Sequence, residues 1–189
     1  MQRPNAAPLL GVLAGGQGKR MGGRDKARLR APGGDEMLVE RLLRLGREVG
    51  LGCVLVGGEG IPGVPLVRDS PTGIGPIGGL CALLTHAGQC SALALACDLP
   101  YVSAALLSRL ACTQSTAAVL APRDPVTGKW QPLFARYDSP RVLPLLLPAI
   151  DAGVRSFQTF LRGVEVQELE LSPAERAELR DWDEPKDVQ

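Results

Sequence analysis

Histidine is nearly missing from this chain, and His86 is the only one. A metal centre built from histidines, or a Ser-His-Asp triad, is therefore not expected. Cysteine is present but unpatterned. Cys53, Cys81, Cys90, Cys97 and Cys112 make an odd count with no C-x-x-C pair, which reads as reduced thiols, several in core-like surroundings, and not as a zinc site or disulfide framework. A surplus of one charge sign is lacking as well: 21 Lys and Arg stand against 20 Asp and Glu, a net charge of +1. Binding a nucleic-acid backbone needs a clustered excess of cations, so no nucleic-acid partner is expected. Long hydrophobic runs are absent. The longest candidate, residues 142–150, is too short to cross a bilayer and holds Pro144 and Pro148, so no membrane partner is expected either. Residues 1–8 carry one cation and two prolines and are not expected to be a signal peptide. With reduced cysteines, that leads to a cytoplasmic location as the expectation.

Two familiar phosphate-loop signatures are missing too. A Walker loop requires Gly-Lys-Ser/Thr, but Gly18-Lys19 is followed by Arg20, which leaves no hydroxyl for a metal. A dinucleotide fingerprint requires a third glycine three residues after the second, and Met21 occupies that position. What does stand there is an apolar run, residues 9–13, that stops abruptly at Ala14-Gly15-Gly16, as a buried strand does on entering a loop. Lys19, Arg20, Arg24 and Lys26 follow, interleaved with Gly18, Gly22 and Gly23. Glycines let backbone N–H groups approach a ligand, and the cations supply charge for an anion held there; the ligand class is a polyphosphate.

The remaining chain alternates strand and helix signals, which predicts one domain over residues 1–189 with a mostly parallel sheet covered on both faces. Helix periodicity covers residues 37–49, with Leu38, Leu42, Leu45 and Val49 on one face. Short strands are expected at 53–56 and 66–67, a second Gly-rich loop at 72–79, and a helix over 79–87. Residues 92–96, without a polar interruption, should form a central strand. That strand ends at Asp98-Leu99-Pro100, and the carboxyl ends of parallel strands are where open α/β sheets bind ligands. One carboxylate facing a triphosphate suits Mg²⁺, which keeps phosphate oxygens and water among its ligands. Ser103 is the expected cap of the next helix. Further strands are expected at 117–121, 132–136 and 164–169, with helices starting near Arg141 and over 156–161. Asp183 is placed to cap a last turn at Pro185.

The motifs Leu13-Ala14-Gly15-Gly16, Arg20-Met21-Gly22 and Asp25-Lys26 resemble the signature of nucleotidyltransferases that activate sugars and cofactors. With Asp69, the segment Gly75-Pro76-Ile77-Gly78-Gly79-Leu80, Cys97-Asp98-Leu99-Pro100 and Gln131-Pro132-Leu133-Phe134, the chain is similar over nearly its whole length to the molybdenum cofactor guanylyltransferases. The resemblance implies a three-layer α/β/α sandwich with a Rossmann-like central sheet, of the nucleotide-diphospho-sugar transferase type. It implies transfer of GMP from GTP to the terminal phosphate of molybdopterin, with Mg²⁺ as cofactor. Leu13, Ala14, Gly15 and Gly16 would contact the nucleotide, Lys26 its phosphates and Asp69 the nucleoside, while Asp98 would hold the metal. Arg20 and Lys26 would neutralise the departing pyrophosphate. Gln131, Arg155 and Asp181 fall on the acceptor side, and molybdoenzymes or other cofactor-biosynthesis proteins are the further partners implied. Two departures stand out: Gly58 where many relatives carry Asn, and Asp181 and Asp183 where relatives usually present two asparagines. A cytidylyl or sugar-phosphate nucleotidyltransferase, and a weakly catalytic GTP-binding or cofactor-binding protein, are the alternatives left open.

Overall fold

The structure, a computed structural model, describes residues 7–14 and 29–182. Seven strands form one sheet. In chain order they are β1 (Leu9–Leu13), β2 (Gly52–Val56), β3 (Leu66–Val67), β4 (Ser91–Ala96), β5 (Val119–Ala121), β6 (Phe134–Asp138) and β7 (Val166–Glu168). Their spatial order is β3-β2-β1-β4-β6-β5-β7, so β4 is central. All pairings are parallel except those of β6, which runs antiparallel to both β4 and β5.

The helices are α1 (Leu38–Glu48), α2 (Pro76–Ala87), α3 (Ala104–Cys112), α4 (Ser139–Asp151), α5 (Phe157–Leu161) and α6 (Pro173–Glu178). One apolar layer joins Leu10 and Val12 of β1 to Val39 and Leu42 of α1 and Leu106 and Leu110 of α3. The other joins Leu13, Val54 and Val56 to Ile77 and Leu80 of α2, to Val142 and Leu146 of α4, and to Phe160 of α5. Alternate residues of β1 thus feed opposite layers, the period-2 pattern of a strand buried on both faces. The three-layer α/β/α sandwich expected from the sequence is the fold observed.

Several local expectations need correction. α2 starts at Pro76 and not at Gly79, because a proline fits the first helical turn, where the N–H has no intrahelical partner. α4 starts at Ser139, with the Asp138 carboxylate accepting the Arg141 N–H at 3.3 Å, and continues through Pro144 and Pro148. Both prolines lie on its exposed face, where water can serve the carbonyls that lose a helical partner. β6 begins at Phe134, two residues later than expected. α6 was not expected at all, although Ser172-Pro173-Ala174-Glu175 is a capping box: the Glu175 carboxylate accepts the Ser172 N–H at 2.8 Å, and the Ser172 hydroxyl accepts the Glu175 N–H at 3.3 Å.

Candidate active site

The carboxyl ends of β1, β2, β3, β4, β5 and β7 open on the same end of the sheet, and hydrogen bonds tie the turns there into a continuous rim. The Ala14 N–H donates to the Val56 carbonyl at 2.9 Å, and the Cys97 N–H donates to the Leu13 carbonyl at 3.2 Å. The Ala96 N–H donates to the Leu133 carbonyl at 2.8 Å, and the Gln131 N–H to the Pro122 carbonyl at 2.9 Å. Leu13-Ala14, Asp98 and Gln131, separated widely in sequence, therefore follow one another along this rim.

On its outer side the rim brings Asp69 to the same place. The α2 segment at Gly79 lies so close that a Cβ there would sit 3.2 Å from Leu13 Cδ2 and 3.4 Å from Asp69 Oδ1. A side chain at Gly79 would press on the end of Leu13 and come into contact with the Asp69 carboxylate. Gly58, at φ +66, has its own constraint: a Cβ would lie 3.1 Å from Ala14 Cβ and 3.2 Å from the Ala14 carbonyl oxygen. Leu13 and Ala14 are buried, with their backbone already bonded to Cys97 and Val56. Asp69 is half-buried, and desolvation raises its carboxyl pKa above the ordinary carboxylate range.

Asp98 sits in the turn leaving β4, and its carbonyl accepts the Trp182 N–H at 3.0 Å. Trp182, 1% exposed, packs with Leu29, Ala31, Leu38 and Tyr101 in a small apolar cluster separate from the two main layers. Its ring meets Tyr101 edge-on, 6.3 Å between centroids at 86°, and its indole N–H donates to the Tyr101 hydroxyl at 3.3 Å. Residue 182 thus clamps this turn twice, its backbone N–H on the Asp98 carbonyl and its ring on Tyr101, and the same ring packs on Leu29 and Ala31, which follow the first Gly-rich loop in sequence. Sequence reasoning considered Asp181 and Asp183 but passed over Trp182 between them. A lone tryptophan in a polar tail was the available signal.

Of the residues named from sequence, the structure draws together Leu13, Ala14, Asp69, Asp98 and Gln131, and the Trp182 bond brings Asp181 beside the Asp98 turn. Arg155 is held at the end of α4, where its guanidinium donates to the Ile150 carbonyl at 2.8 Å and the Val154 carbonyl at 2.9 Å. Gly15, Gly16, Arg20, Lys26 and Asp183 lie outside the described residues. Among the described residues no group of three or more His, Cys, Asp or Glu is placed to hold a metal.

Comparison with known proteins identifies the family and the fold. Residues 10–166 match the model of the MobA-like NTP transferase domain. The molybdenum cofactor guanylyltransferase of Pseudomonas putida is 34% identical over 98% of this chain and 99% of its own length. That of Pseudomonas entomophila is 36% identical over 85% of this chain and 86% of its own length. Among solved structures, molybdopterin-guanine dinucleotide biosynthesis protein A from Archaeoglobus fulgidus superposes with a TM-score of 0.78 at 24% identity, covering 95% of this chain and 94% of that one. The 2-C-methyl-D-erythritol 4-phosphate cytidylyltransferase of Thermus thermophilus shares the fold more distantly, with a TM-score of 0.63 at 17% identity over 96% of this chain and 95% of that one. This chain belongs to the MobA-like NTP transferase family, in its molybdenum cofactor guanylyltransferase branch.

Proposed function

We propose that the protein transfers GMP from GTP to the terminal phosphate of molybdopterin, forming the guanine dinucleotide and releasing pyrophosphate. The observation that carries this reading is the convergence of Leu13-Ala14, Asp69 and Asp98 on one rim at the carboxyl ends of parallel strands, in a chain whose full-length relatives are named guanylyltransferases.

An oxygen of the acceptor phosphate attacks the α-phosphorus of GTP, and the bond from that phosphorus to the oxygen bridging to the β-phosphate breaks. The nucleophile is already an anion, so no strong general base is required. The barrier lies in bringing two anions into line, and fixed positive charge and positioning carry most of the catalysis. Arg20 and Lys26 take the role of neutralising the departing pyrophosphate, and Gly15 and Gly16 the role of backbone contacts to the nucleotide. Asp69 accepts hydrogen bonds from the nucleoside in its ionised form. Asp98 would hold Mg²⁺, which would supply positive charge to the phosphate oxygens. On the acceptor side, Gln131 and Asp181 flank the Asp98 turn. Arg155, with one nitrogen committed to the end of α4, has its remaining N–H groups for an acceptor phosphate.

The test is Asp98→Asn. The substitution keeps the shape of the side chain and the carbonyl that Trp182 holds, while removing the metal-binding charge. Turnover in the presence of Mg²⁺ should fall on the order of 10²-fold or more, with an unchanged melting temperature. A variant retaining half of the wild-type rate would reduce Asp98 to a structural turn residue.

A further inference from the structure

Gln131 lies in a segment whose carbonyls are all engaged, from Trp130 to Leu133. The Gln131 N–H donates to the Pro122 carbonyl at 2.9 Å, and its carbonyl accepts the Phe134 N–H at 3.2 Å. The Pro132 carbonyl accepts the hydroxyl of Tyr137, a fully buried side chain, at 2.7 Å, and the Leu133 carbonyl accepts the Ala96 N–H of β4. The Gln131 side-chain amide is the exception. It is half-buried and, among the described residues, makes no hydrogen bond. A free amide on a fixed backbone is a group held ready for a partner outside the fold.

Trp130, the residue before it, is held in a different way. The Asp124 N–H donates to the Lys129 carbonyl at 2.8 Å, and Arg123 pairs with Trp130 in a single antiparallel bridge, so residues 122–131 run as a narrow ribbon. Its cross-bonds use groups of residues 129 and 131, which turns the N–H and carbonyl of Trp130 to the other edge. There a side chain takes the place of a strand. Gln158 of α5 accepts the Trp130 N–H on Oε1 at 3.1 Å and donates from Nε2 to the Trp130 carbonyl at 2.8 Å. A primary amide carries a donor and an acceptor side by side, as a peptide group does. The helix behind it is anchored in turn: Phe160 and Leu161 of α5 are buried in the layer formed with α2 and α4.

We infer that Gln158 is a positioning residue: by fixing both backbone groups of Trp130 it presents the free Gln131 amide to the acceptor in one orientation. The inference rests on the guanylyl-transfer reading, which puts Gln131 on the acceptor side. Without the Gln158 bonds the Gln131 amide would sample several orientations, and the acceptor would have to order it on binding. The cost therefore falls on acceptor affinity and not on the nucleotide.

The experiment compares wild type, Gln158→Glu, Gln158→Ala, Gln131→Ala and the Gln131→Ala/Gln158→Ala double variant at about pH 8, where a glutamate is ionised. KM for molybdopterin and KM for GTP are measured separately, with melting temperatures to verify the fold and hydrogen exchange followed over residues 129–133. Glutamate matches glutamine in size and keeps the packing, but it sets an oxygen against the Trp130 carbonyl. Both changes at position 158 should raise the acceptor KM roughly fivefold, leave the GTP KM within about twofold and speed exchange over 129–133. In the Gln131→Ala background, Gln158→Ala should move the acceptor KM by less than about twofold, because the group it positions is gone. A folded Gln158→Glu variant with the wild-type acceptor KM would make Gln158 a packing residue, and equal effects of Gln158→Ala in both backgrounds would show that it does not act through Gln131. Either result overturns the assignment and leaves guanylyl transfer standing. If wild type makes no dinucleotide, the functional reading fails by itself, and the positioning is judged by exchange: faster exchange over 129–133 in Gln158→Glu supports it, and unchanged exchange overturns it.

Discussion

Asp69 carries two demands that oppose each other. It is half-buried behind Gly79, and burial raises its pKa, so keeping the ionised form disfavours the folded state. The same ionised carboxylate is the one that would accept N–H groups from the nucleoside. The sign follows from the direction of the shift. Below the carboxyl's ordinary, unfolded-state pKa both states are neutral and nothing is lost, whereas as pH rises from there through the raised folded-state value the cost of the buried charge builds up and is then complete. Asp69→Asn should therefore raise the melting temperature slightly at pH 7, with the gain shrinking as pH is lowered, and should weaken GTP binding about tenfold, the usual effect of removing one charged hydrogen-bond partner. Thermal unfolding at several pH values and titration calorimetry with GTP check the two halves separately. A drop in melting temperature with unchanged GTP affinity would make Asp69 a structural residue. At this scale the sequence was legible where side-chain chemistry is unusual for its place. An Asp at the end of an apolar strand, as at Asp98, is readable in that way. Trp182 was not, because its meaning lies in partners 81 residues away at Tyr101.

The elements show the same division between local and distant causes. Strands β1, β3 and β4 and helix α1 follow from runs and periods within the segment, and were placed to within a residue. The antiparallel course of β6 is a property of the chain's return from β5 through residues 122–133, which no periodicity encodes. The run through Pro144 and Pro148 depends on which face of α4 meets solvent, a tertiary fact. α6 has a readable capping box, but its position is set by distant partners: Arg109 pairs with Glu175, and the Glu178 carboxylate accepts the Ser103 N–H at 2.9 Å at the start of α3. α6 and the segment after it therefore act as a strap that brings Trp182 onto the Asp98 turn. Trp182→Ala should lower kcat by roughly tenfold through a looser Asp98 turn and should raise the Mg²⁺ concentration needed for half-maximal rate, whereas Trp182→Phe should restore much of both. A purely structural role would lower the melting temperature and leave the Mg²⁺ requirement of the surviving folded fraction where it was.

At the scale of the whole molecule, the sheet order gathers the carboxyl ends of six strands on one rim, the end of an open α/β sheet where ligands bind, and the proposed chemistry is assigned there. That arrangement does not select the nucleotide. A cytidylyltransferase superposes on this chain at 17% identity, so the fold serves more than one base, and the choice belongs to the residues placed on it. On the proposed reading those residues are the first Gly-rich loop, which follows the buried Leu13 and Ala14 in sequence, and the segment from Gly75 to Leu80, whose Gly79 lies against Asp69. The most direct test of the account is therefore a competition among nucleotides: purified protein with Mg²⁺ and molybdopterin, given GTP, CTP or ATP in turn, with pyrophosphate release and dinucleotide product both followed. Guanylyl transfer predicts that kcat/KM for GTP exceeds those for CTP and ATP on the order of 10²-fold or more, with one pyrophosphate released for each guanine dinucleotide formed. Equal rates with GTP and CTP, or pyrophosphate release without a dinucleotide product, would contradict it.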